Sequence, residues 1–168
     1  SEMCIRDSAK RAQALALGTG MVATDYLESV ERTGNALGGK KAQRDALIEE
    51  LEIPLYEKGE TEYLMWLGCV WNYNTDAQNA VRSMVKVLKA SGTSFGVLKN
   101  EKCSGHHSRR QGEEMQFQTL AEENSEQFKK NEVKKVISPC PHCLHTISRE
   151  YPALDKGLDL DVVHHSEF

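Results

Sequence analysis

Between residues 60 and 164, short apolar runs alternate with stretches of helical period, and this alternation decides the fold class. Tyr63-Leu64-Met65-Trp66-Leu67 is a continuous apolar run ending at Gly68-Cys69, the pattern of a strand buried on both faces. Thr75 then opens a helix in which Ala77, Ala80, Val81, Met84, Val85 and Leu88 recur at helical spacing, with Gly92 just past its end. Ser94-Phe95-Gly96-Val97-Leu98 predicts a second strand, followed by Cys103. One long helix is predicted over residues 108–130, with Met115, Phe117, Leu120, Ala121 and Phe128 facing inward. Lys135-Val136-Ile137-Ser138 reads as a third strand that ends at Pro139-Cys140. A short helix comes next with Leu144, Ile147 and Tyr151, and Leu160, Val162 and Val163 mark a fourth strand.

Strands that alternate with helices build a parallel sheet, because each crossover is right-handed and returns the chain to the same edge. The expected fold is therefore α/β: a small Rossmann-like parallel sheet of about four strands with crossover helices. In such a sheet all strands end at one edge, where ligands bind. Cys69, Cys103 and Cys140 each come just after a predicted strand, so the topology gathers them on one crest, and His164 and His165 fall on the same crest.

Cys143 completes a Cys140-Pro141-His142-Cys143 motif that opens a helix, where free N–H groups stabilise thiolates. A thioredoxin-like redox pair is one reading, but two further cysteines converge here. Four thiolates can hold a tetrahedral zinc ion or an iron–sulfur cluster. Zinc ribbons carry paired CxxC knuckles and this chain has one, so three separate loops favour the larger guest. The remaining cysteine, Cys4, lies in SEMCIRDS, eight residues that share no periodicity with the rest of the chain. That segment reads as translated sequencing adapter, and Cys4 is expected to have no role.

Cys69, then Cys103-Ser104-Gly105, then Cys140-Pro141-His142-Cys143 resembles the cysteine-rich CCG domain of heterodisulfide reductase-related iron–sulfur oxidoreductases. Leu67-Gly68-Cys69, Arg109-Arg110 with Gly112-Glu113, Ser138-Pro139 and His164-His165-Ser166-Glu167 agree with that pattern. The family's central motif usually has two adjacent cysteines; here Ser104 takes the second place, which argues against the non-cubane cluster that the doubled motif supports. The resemblance implies one 4Fe–4S cluster on Cys69, Cys103, Cys140 and Cys143, with Ser104, Gly105, His164 and His165 beside it, and zinc as the alternative. It implies an electron-transfer module that works between a ferredoxin-like domain upstream in the same chain and a flavoprotein or quinone-linked partner. The alternatives are a zinc-stabilised interaction domain and a cluster-assisted disulfide reductase.

Residues 9–58 are polar with broken helical periodicity and read as a mostly helical connector. Thr24 is expected to cap a helix bearing Tyr26, Leu27 and Val30, and Ala42, Ala46, Leu47 and Leu51 suggest another. Arg32-Thr33-Gly34-Asn35 resembles the connector that comes after a ferredoxin-type domain in larger relatives. The expected division is a tail over 1–8, the connector over 9–58, and a cysteine-rich domain over 59–168, truncated at its C-terminus. The net charge of −4 over 168 residues, with no basic block, argues against nucleic-acid binding. No apolar run is long enough to span a membrane. The expected setting is cytoplasmic, with any tie to the inner membrane face left to other segments or partners. His106 and His107 are read as solvated loop histidines or as donors to cluster sulfurs. Arg109 and Arg110 are placed in the first turn of the long helix, beside the anionic site.

Overall fold

A computed structural model of the chain describes residues 2–19 and 24–168. The elements in chain order are α1 (Glu2–Ala16), α2 (Thr24–Thr33), α3 (Lys41–Glu50), β1 (Tyr63–Met65), α4 (Gly68–Tyr73), α5 (Thr75–Ala90), β2 (Phe95–Gly96), α6 (His106–Gln111), α7 (Glu114–Lys130), β3 (Lys135–Ser138), α8 (Pro141–His145), α9 (Tyr151–Leu154) and β4 (Asp161–His164). One π-helical turn, Thr146–Glu150, joins α8 to α9.

The four strands form one parallel sheet in the order β2-β1-β3-β4. Tyr63 is opposite Phe95 on one side and Lys135 on the other, and Val136 is opposite Val162. The predicted second strand shrinks to Phe95–Gly96, although Val97 still makes a parallel bridge to Leu55. Strand alternation sends the side chains to two cores. Leu64, Trp66 and Val136 face Phe117, Ala121 and Phe128 of α7, together with Ile147 and Tyr151. Met65, Leu67 and Ile137 face Val81, Met84, Val85 and Leu88 of α5. Both faces are covered, which is why β1 and β3 carry no polar alternation. Asn74 caps α5, accepting from the N–H groups of Asp76 and Ala77, each at 3.0 Å.

The expectation of one helix over 108–130 is corrected. Gly112, at φ +88°, ends α6 in the left-handed region, and Glu113 caps α7 by accepting from Gln116 N–H. A Cβ at Gly112 would collide with the backbone nitrogen of Ala12, so α1 crosses at this break. Met115, expected inside, is 80% exposed, because the break resets which face of α7 looks inward. Residues 9–16, at the start of the segment read as a mostly helical connector, continue one helix from Glu2. The side chains of Cys4 and Thr24 lie outside the described residues. The connector packs onto the domain: Val30 and Ala36 join Cys69, Cys103 and Leu120 in a third apolar cluster.

Candidate metal centre

The strand order places this site. From β1 the chain moves toward β2, and from β3 it moves the other way toward β4, so the crevice at the C-terminal ends of β1 and β3 is a topological switch point. Cys69 lies in the first turn of α4, directly after β1. Cys140 and Cys143 come after β3, with Cys140 at the N-cap of α8. Cys103 arrives on the loop between β2 and α6. All four are buried and free.

The four thiols form two pairs in contact. Cys103 donates to Cys69, and that bond holds the Cys69 thiol down to about 5; His107 and the N–H of Ala36 also bond to it, against the opposing effect of burial. As the donor, Cys103 is pushed well above the usual thiol range, and burial adds to this. In the second pair Cys143 donates to Cys140, whose thiol falls to about 6 with help from the N–H groups of Cys143 and His142. Cys143 is raised for the same reasons as Cys103. The crest thus carries two low thiols and two high ones, one of each in either pair. Among the described residues, no three His, Cys, Asp or Glu side chains converge as a single metal ion would require.

Gly68 makes the crest possible. It sits at φ +70°, and a Cβ there would lie 2.7 Å from Cys143 Sγ. Ser104 is buried and donates through Oγ to Cys143 Sγ at 3.3 Å, while the Gly105 N–H donates to Cys103 Sγ at 3.4 Å. These two residues touch the thiols. His164 does not: its Nε2 lies 3.2 Å from the Pro139 carbonyl oxygen, at the entry to the CxxC motif, and its Nδ1 is 2.6 Å from Ser166 Oγ. His165 stands edge-on to Trp71, with ring centroids 6.4 Å apart.

His107 is raised by its bond to Cys69 and stacks on Tyr26 at 5.4 Å. His106 stacks on His142 at 4.4 Å, and burial, then the neighbouring His142 and Arg110 charges, lower it to about 4. Arg109 and Arg110 occupy the last turn of α6, where the helix dipole favours them, and not a first turn. They pair with Glu114 and Glu150 and lie away from the thiols' immediate contacts.

Several buried polar residues that hold the cysteine loops gave no motif signal. The Tyr151 hydroxyl donates to the Ser104 carbonyl at 2.9 Å, and Asn124 Nδ2 donates to the Cys103 carbonyl and to the Tyr151 oxygen at 3.0 and 2.9 Å. The Cys103 N–H donates to the Gly34 carbonyl at 2.7 Å. Asn35 folds the next turn by accepting from Gly39 N–H at 2.9 Å and donating to Gly39 O at 2.8 Å, which brings the Ala36 N–H to Cys69. Asn35 closes the Arg32-Thr33-Gly34-Asn35 run that resembles the family's connector, and an asparagine in a Gly-rich stretch is a signal for such a turn.

This is a thiolate-rich site on the crest of a parallel α/β sheet. The chain matches the cysteine-rich (CCG) domain family over residues 63–148 and belongs to it. It is 39% identical over 150 residues to the probable iron-sulfur-binding oxidoreductase FadF of Bacillus subtilis, covering 84% of this chain and 21% of that protein. It is 34% identical over 146 residues to the EtfAB:quinone oxidoreductase of Syntrophomonas wolfei, covering 83% and 20% of the two chains. It is also 34% identical over 149 residues to a probable membrane-anchored ferredoxin of Chromohalobacter salexigens, covering 86% and 22%. The chain thus spans about a fifth of the length of these curated relatives. No solved structure matches it. Among the described residues, no helix is long and apolar enough to cross a membrane.

Proposed function

We propose that Cys69, Cys103, Cys140 and Cys143 bind one 4Fe–4S cluster, and that this domain relays electrons within a larger iron–sulfur oxidoreductase. The observation that carries the reading is the arrangement of the four thiols as two pairs on one crest, with no three donors meeting at a point among the described residues. A zinc ion needs all its sulfurs about 2.3 Å from one centre. A cluster is wider and would give each of the four thiolates an iron of its own. The donor set fits it in number and type.

When bound, such a cluster takes up and releases one electron. The chain's own residues hold and tune it. Cys69 and Cys140, already low, offer thiolates at neutral pH, whereas Cys103 and Cys143 must release protons on binding. Ser104 and the Gly105 N–H donate to ligand sulfurs, which stabilises added negative charge and raises the reduction potential. Trp66 and Phe128 pack edge-to-face at 5.4 Å in the apolar core that also contains Cys140 and Cys143, which keeps water from that side. We further propose a ferredoxin-like domain of the same protein and a flavoprotein or quinone-linked partner as the two ends of the relay. Its setting is cytoplasmic, at the inner membrane face where the larger protein or its partner reaches that surface. The names of the relatives support the iron–sulfur and quinone connections.

The test is anaerobic reconstitution of the purified chain with iron and sulfide. A brown protein whose visible absorption bleaches on reduction is expected. Cys69→Ala or Cys140→Ala should abolish the colour, and Ser104→Ala should keep it while lowering the potential. A colourless protein holding one zinc would reject the cluster and leave an interaction domain.

A further inference from the structure

Two charged side chains are almost wholly buried beside the cysteine loops. Arg44, on α3, is 2% exposed, and the carboxylate of Glu101, on the loop leading to Cys103, is 1% exposed. They face each other at 3.8 Å. Arg44 Nη2 donates to the Leu98 carbonyl at 2.6 Å, and Nη1 donates to the Lys99 carbonyl at 3.3 Å. Glu101 Oε1 accepts from the Gly68 N–H at 2.7 Å and from Asn72 Nδ2 at 3.0 Å, and Oε2 accepts from the Leu67 N–H at 3.3 Å. Asn72 in turn donates to the Gly68 carbonyl at 2.8 Å, which closes the turn around Cys69.

A buried carboxylate costs heavily unless it is paired and hydrogen-bonded. Here its satisfaction comes from the two amides that precede Cys69, while its own backbone sits two residues before Cys103. One side chain therefore ties the Cys69 loop to the Cys103 loop, and Arg44 anchors the combined unit to the connector. We infer that Arg44 and Glu101 are a positioning pair, in which the carboxylate sets the placement of Cys69 relative to Cys103 and the guanidinium holds that carboxylate in place. The inference rests on the reading of both cysteines as ligands, but the placement itself can be measured without metal.

The experiment uses the full chain, reduced and metal-free, as wild type, Glu101→Met, Arg44→Met and the double variant. Hydrogen exchange is measured at residues 67–72 and, as a control, at 81–88 of α5. Glu101→Met removes both acceptor oxygens while keeping the length of the side chain. Exchange at Leu67 and Gly68 should rise about tenfold or more, with α5 unchanged. The double variant removes both charges, so it should fold better than either single variant yet still leave those two amides unprotected. After reconstitution, Glu101→Met should hold less iron than wild type, read from the iron-to-protein ratio, because Cys69 no longer keeps its place beside Cys103.

Wild-type protection of Leu67 and Gly68 in a folded Glu101→Met or double variant would overturn the inference. So would failure of the double variant to fold, since the pair would then determine the fold and not the placement. If the wild-type chain takes zinc, the cluster reading fails, and the exchange result still decides the role of the pair.

Discussion

Gly68→Ala isolates the steric demand of the crest. Two costs are expected. The first is backbone strain, because a side chain at φ +70° costs about 1–2 kcal/mol. The second is collision, because the new Cβ would lie 2.7 Å from Cys143 Sγ, far inside contact distance. Overpacking of this kind costs about 1–3 kcal/mol. Gly92→Ala is the control: its φ is +73°, yet nothing lies within 4 Å of the added methyl. It bears the first cost alone and should lower the thermal midpoint by about 2–8 °C, at about 2–4 °C per kcal/mol for a domain of this size. Gly68→Ala should fall further, by the collision. Guest binding should separate the two variants completely: Gly92→Ala should take up iron and sulfide as wild type does, and Gly68→Ala should not, because relief of the clash moves Cys143 off the crest. Thermal denaturation of the metal-free chains and iron-to-protein ratios after reconstitution provide both readings. If Gly68→Ala matches Gly92→Ala in both, the packing described for Cys143 is wrong.

In the reduced, metal-free protein at pH 7, Cys69 and Cys140 lie above their titration points of about 5 and about 6, so iodoacetamide should label them ahead of Cys103 and Cys143; equal labelling by peptide mapping would contradict the paired geometry. Tyr151→Phe removes the hydroxyl that serves both Ser104 and Asn124 and should cost about 1–3 kcal/mol in denaturant unfolding, since buried partners lose their hydrogen bonds. His106 is held down to about 4, below its ordinary 6.5, so it favours the folded state above pH 6.5 and that contribution is lost as pH falls through 4. His106→Phe should flatten the stability profile in that window, and an unchanged profile would remove His106 as the cause.

The fold and the thiols were legible from the sequence for one reason: both depend on patterns that repeat. The runs at Tyr63–Leu67 and Lys135–Ser138 are apolar throughout because both sheet faces are covered, and the cysteines come after them because parallel strands end together. The break at Gly112 was hidden, since a lone glycine between Arg109 and Leu120 does not by itself end a helical pattern, and both its left-handed backbone and the close approach of Ala12 belong to the folded chain. Arg44, Glu101 and Asn124 were hidden for a different reason. Each sits among ordinary surface-type neighbours, and only tertiary packing turns it inward toward a cysteine loop. Ser104 and Gly105 could be placed from their motif. The contacts of His164 with Pro139, and of His165 with Trp71, depend on how β4 exits the sheet, which no local pattern specifies.

The central claim is that four thiols from three loops hold one cluster. Native mass spectrometry of the chain, purified without oxygen and never exposed to added metal, tests it most directly. The expected result is a mass increment of four irons and four sulfides, lost in Cys69→Ala and in Cys140→Ala. An increment of one zinc, or no increment in a folded chain that also fails to take up iron and sulfide, would contradict it.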